Sequence, residues 1–173
     1  MYALRFFVGS AVCTFGIVFG FGFFENLFPS ITKQAIAESQ KFTHAKKFTL
    51  IRQLAKIRIQ NDPILKKKYE GRNVPSIDDL PEIVLLGLPE GTIVSIVESY
   101  WMMKDMTTKS DKDILEAIEH HRKTLFPESG PMPSPLTLSN YVKYRLNVEH
   151  SHGVPISNEF IDNCIKKANE AYR

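Results

Sequence analysis

Cysteine is scarce in this chain: 173 residues contain two, Cys13 and Cys164. Cys13 lies in an apolar run and Cys164 close to the C-terminal end, so a bridge would join two unlike segments. Both read as free thiols, and cysteine usage gives no sign of a disulfide scaffold. Alternating strand patterns are missing as well. So are a glycine-rich phosphate loop, a nucleophile elbow, a Cys/His arrangement for nucleophilic catalysis and the H-E-x-x-H spacing of a zinc site. With these carriers of chemistry absent, neither an enzymatic activity nor a cofactor is expected.

Charge is absent in one place above all. Arg5 is followed by nineteen residues, Phe6 to Phe24, with no ionisable carboxylate or cationic side chain. This run takes seven of the twelve Phe and four of the nine Gly, so the rest of the chain is polar. At about 1.5 Å per residue it would span roughly 28 Å as a helix, close to the hydrocarbon thickness of a bilayer. A secretory signal has a shorter apolar core with a small-residue cleavage site close behind. Here the nearest such motif, "AIA" at Ala35–Ala37, lies beyond Pro29. A soluble core helix would show a polar face, and the run offers only Ser10 and Thr14. The expectation is an uncleaved transmembrane helix, with an exported domain behind a signal peptide as one alternative. Gly9, Cys13, Gly16 and Gly20 repeat at 4-3-4 spacing and include a GxxxG. On a helix they form one shallow groove, of the kind that lets a second membrane helix approach closely.

Acidic residues are the next scarcity. From Lys33 to Lys68 there are ten Lys or Arg against Glu38 and Asp62. The positive-inside rule then places the C-terminal part on the cytoplasmic or matrix side. Within this segment Lys41–Gln60 reads as a helix, with Asp62 and Pro63 opening the next one. Lys46, Arg52 and Lys56, with Gln53 and Gln60, share one face. Phe48, Leu50, Ile51, Leu54, Ala55, Ile57 and Ile59 cover most of the remainder, which Lys47 and Arg58 interrupt. A basic face beside an apolar one suits a packed partner or anionic lipid headgroups. Nucleic acid is not indicated, since no aromatic–basic interleaving or known module accompanies the charge. No small-molecule substrate can be named.

The rest follows helical grammar. A short apolar turn lies between Pro81 and Gly87. A helix over residues 89–106 turns Ile93, Val94, Ile96, Val97, Tyr100, Trp101 and Met103 to one side and Ser95, Glu98 and Ser99 to the other. A Ser110-capped helix aligns Ile114, Ile118, His121 and Leu125, and Pro127 ends it. A second pair follows: one helix closed by Gly153, then one capped by Ser157 with Phe160, Ile161, Cys164, Ile165 and Ala168 on its apolar stripe. The two Ser-capped starts share S-[DN]-[KE]-x-I-x-x-[AC]-I, a weak internal repeat.

The expected fold is therefore all-α: an N-terminal transmembrane anchor (residues 1–28), a basic juxtamembrane helical segment (29–72) and a helical bundle of two helix–loop–helix hairpins (73–173). Four of the five histidines fall in two clusters, His120 and His121 beside Glu119, and His150 and His152 beside Glu149. If they converged they could ligate zinc or iron, so a membrane-tethered metal protein or enzyme is the second alternative. Satisfied structural histidines are the expectation, with no metal. Arg145 and Glu149 are spaced i, i+4 on an inward stripe and are read as a structural pair. The function expected overall is a binding or scaffold module, an accessory subunit joined to other membrane-protein subunits.

Overall fold

A computed structural model describes residues 29–71, 76–126 and 130–173, with side chains from residue 43 onward. The apolar run with Gly9, Cys13, Gly16 and Gly20 lies outside the described residues. Among those residues no helix is long and apolar enough to cross a membrane. Seven α-helices and one 3-10 turn, Ile77–Asp79, make up the described fold, which has no strand. The helices are α1 (Pro29–Asn61), α2 (Pro63–Tyr69), α3 (Glu82–Leu86), α4 (Pro89–Met106), α5 (Asp111–Leu125), α6 (Leu138–Glu149) and α7 (Asn158–Tyr172).

The first helix starts at Pro29 rather than Lys41. Proline fits a first helical turn, and the residues after it, rich in Ala, Gln, Lys and Glu, include no helix breaker. They lack the apolar period that marks the later half, so that half alone was legible from its pattern. Asp62 then caps α2 by accepting from the Ile64 and Leu65 amides at 2.8 and 3.1 Å. Ser110 and Asp113 form a reciprocal capping box at the start of α5. Ser157 caps α7 through the Phe160 amide at 3.2 Å. The shared start motif sets the same inward register twice: Ile114, Ile118, Ile161 and Ile165 are all buried.

Helix α4 is the centre. It packs against α1, α3, α5, α6 and α7, and α6 also packs on α7. The polar side expected at Ser95, Glu98 and Ser99 is therefore split, with the two serines half-buried and the glutamate inside. Glu98 is buried, and Ser99 donates to the Ser95 carbonyl at 2.8 Å within the helix. With a neighbouring helix packed over it, Glu98 has no solvent in which to leave its charge, so the charge has to be paired. At its start, Gly91 permits a close approach. A Cβ there would lie 2.4 Å from the Leu85 carbonyl oxygen and 2.7 Å from that of Leu86.

The core crosses the boundary expected at residues 72/73. Phe48, Ile51 and Leu54 of α1 sit in one cluster with Ile93, Val94 and Val97 of α4, Ile114 and Leu115 of α5, Tyr141 and Val142 of α6, and Cys164 and Ala168 of α7. The second half of α1 is thus a wall of the bundle. In α5 the inward stripe also drifts from its expected course. Leu125 is exposed and His121 half-buried, while Leu115, Glu119 and Arg122 continue the buried side.

Candidate functional site

Two sets of polar residues are organised by this packing. The first joins α1 to α4. Lys47 Nζ lies 2.6 Å from Glu98 Oε2, both side chains almost fully buried. Toward the other end of α1, Arg58 Nε lies 2.5 Å from Glu90 Oε1, and Glu90 has no exposure at all. Lys47 and Arg58 are the cations that interrupt the apolar arc of α1. Lys47, Ile51, Leu54 and Arg58 follow 4-3-4 spacing, so both cations fall on the seam that must face α4. Burial pushes the Glu90 carboxyl up, and the adjacent Arg58 pulls it back without cancelling that effect. Cys164, also fully buried, has its thiol pushed up to about 12 by burial and by the nearby Glu90 charge. It is the thiol of a core residue rather than of a nucleophile.

The second set lies between α5 and α6. Arg122 grips Glu119 with two donors, Nε to Oε2 at 2.9 Å and Nη2 to Oε1 at 2.7 Å. The Tyr141 hydroxyl donates to Glu119 Oε2 at 2.9 Å and accepts from Arg145 Nη1 at 2.9 Å. Arg145 also holds Glu149 through Nε at 2.7 Å. Tyr144 lies 3.2 Å from Glu119 Oε1 and 2.9 Å from the Gly130 carbonyl. Burial opposes ionisation of Glu119, yet the Arg122 fork and the Tyr141 hydroxyl outweigh it and hold the carboxyl below the usual glutamate range. The chain of bonds ends at α4: Thr92 donates to Glu149 Oε2 at 3.1 Å and lies 3.0 Å from His150 Nε2. The Arg145–Glu149 pair thus belongs to a wider network that binds α4, α5 and α6 together.

The residues expected to form a basic face are placed as follows. Lys46 is exposed; it donates to the Ala171 carbonyl and lies over the Tyr172 ring at 5.9 Å. Lys56 reaches Asp78 Oδ2 at 2.7 Å. Arg52 is half-buried, with its Nε shielded from solvent. Two of the three cations are therefore engaged with the molecule itself. His120 and His152 are exposed, while His121 and His150 are half-buried. Among the described residues no group of three or more His, Cys, Asp or Glu comes together as a metal-ligand set.

No protein-family model, characterised protein or solved structure matches this chain. The buried pairs were missed in the sequence for one reason: each member was read against its own helix. The signal lay in combining them. Two cations at seam positions of α1, and two glutamates on α4, can both be buried only by meeting.

Proposed function

We propose that this protein is a single-pass, membrane-anchored helical binding or scaffold module, an accessory subunit of a larger membrane complex with no reaction of its own. The charge-free run Phe6–Phe24 carries the proposal, because its length and uniform apolarity fit a bilayer span. The groove of Gly9, Cys13, Gly16 and Gly20 is assigned to a partner's membrane helix, and the bundle to the cytoplasmic or matrix side. The interior supports the non-catalytic part of the reading. Its charged residues bind one another, across the α1–α4 seam, within α5 and from α5 to Arg145 of α6, rather than converging on a cleft.

The test is a carbonate wash of native membranes with mass spectrometry of the retained chain. Retention with Phe6–Phe24 intact is the expected result; a mature start near Glu38 would end the proposal. For the groove, Gly16→Leu with Gly20→Leu should reduce co-purification of a partner several-fold, consistent with contacts worth on the order of 1–2 kcal/mol. Changes at Val18 and Phe19, off the groove, should leave it intact.

A further inference from the structure

Large apolar side chains are exposed at few places among the described residues, and four of them, Ile64, Tyr69, Ile83 and Val84, fall in the connection from α1 to α4. Ile83 and Val84 are on α3 with Asp79 and Glu82 close by in sequence, a setting that repels anions. Helix α2 is different. Its one buried residue, Leu65, pins it to α1, leaving Ile64 63% and Tyr69 38% exposed. Between them Lys66, Lys67 and Lys68 are all exposed. Lys47 and Lys56 each reach a carboxylate, whereas among the described residues these three reach none. Lys68 instead lies over the Tyr69 ring at 5.7 Å.

We propose that α2 is a contact site for anionic lipid, on the bilayer that holds the chain's own anchor. The inference rests on the anchored reading above and gives it a specific surface. Ammonium groups pair with lipid phosphates and carboxylates, an aliphatic side chain enters the acyl boundary, and a tyrosine ring sits at headgroup level. The nearby acids do not cancel this. The Asp62 carboxylate is turned onto the backbone amides of α2, and Glu70 alone follows the lysines before Gly71. Three lysines bind a surface weakly when free. The anchor holds them near it, so a weak attraction suffices.

Helix α1 has 33 residues, so at about 1.5 Å each it is roughly 50 Å long. An upright α1 would hold α2 far from the bilayer. Contact requires α1 to lie along the surface.

The test uses the full chain with Trp101→Phe and Tyr69→Trp, reconstituted into phosphatidylcholine vesicles with and without phosphatidylserine, the lipids bromine-labelled along their acyl chains. The tryptophan introduced at position 69 should be quenched several-fold more with phosphatidylserine present. Lys66→Glu, Lys67→Glu and Lys68→Glu together, or high salt, should remove the difference. Equal fluorescence in both vesicles, from chain that resists carbonate, overturns the inference and leaves the anchor standing. Chain that carbonate strips from the vesicles overturns both. If the triple variant loses a protein partner while quenching is unchanged, the patch reads acidic protein and the lipid assignment falls.

Discussion

Lys47 and Glu98 meet at 2.6 Å across the seam between α1 and α4, with side chains 3% and 5% exposed. Arg58 meets Glu90 further along the same seam. As α1 runs from Lys47 to Arg58, α4 runs from Glu98 back to Glu90, so the two pairs fix an antiparallel register. A slip by one turn would leave charges buried against Ile51, Leu54, Val94 or Val97, which is far costlier than a misplaced methyl.

Removing one partner should therefore be worse than removing both. Lys47→Met should destabilise the protein by about 3–5 kcal/mol, since it removes the cation paired with a buried carboxylate. Lys47→Met with Glu98→Leu should recover most of that loss. Urea unfolding of the two single variants and the double variant measures the coupling. A double variant as unstable as the sum of the singles would show that the pair is not coupled.

The bundle should not survive removal of α1. A fragment starting at Val74 loses Phe48, Ile51, Leu54 and Leu65 from the core and leaves Glu90 and Glu98 without their cations. Burying one large apolar side chain is worth about 1.5–3 kcal/mol, so losing four removes about 6–12 kcal/mol, as much as the whole stability of many small domains. The fragment should aggregate or lack a cooperative thermal transition. A fragment starting at Thr43 should unfold in a single step. Calorimetry of the two distinguishes these outcomes.

Two buried glutamates should respond to pH with opposite sign. Burial works against Glu119 ionisation, but Arg122 and Tyr141 win, so its folded pKa lies below the unfolded value of about 4.3. Its contribution is present above that value and is lost as pH falls through the folded pKa. Burial raises Glu90, so stability is lost as pH rises from the unfolded value through the folded one. Melting temperature followed from acid to neutral pH should show Glu90→Gln gaining on the wild type as pH rises, and Glu119→Gln falling behind. His121 and His150, both lowered by burial, add to the acid-side loss below about pH 6.5. Parallel curves for all three proteins would contradict these assignments.

Local chemistry made much of the fold legible. Asp62, Ser110 and Ser157 cap helices because a short polar side chain before a helical run satisfies free amides, whatever lies around it. Pro89–Met106 was readable to the residue, since Pro can open a helix and the apolar period runs through it. The repeat of Ser110 and Ile114 in Ser157 and Ile161 was readable for the same local reason. The polar face assigned to Glu98 was not, and neither was the placement of Arg122 on the inward side of α5.

What the sequence determined by itself is helix type, the capped helix starts and the charge-free run, all set by neighbours within a few residues. Tertiary structure alone decided which charges go inside. Lys47 and Glu98 are 51 positions apart, and each taken singly belongs at the surface, because burying one charge without the other is prohibitive. A helix's own period shows which residues share a side. Whether that side meets water or another helix depends on what the chain brings against it, and here the helices packed on α4 take Glu90 and Glu98 out of water.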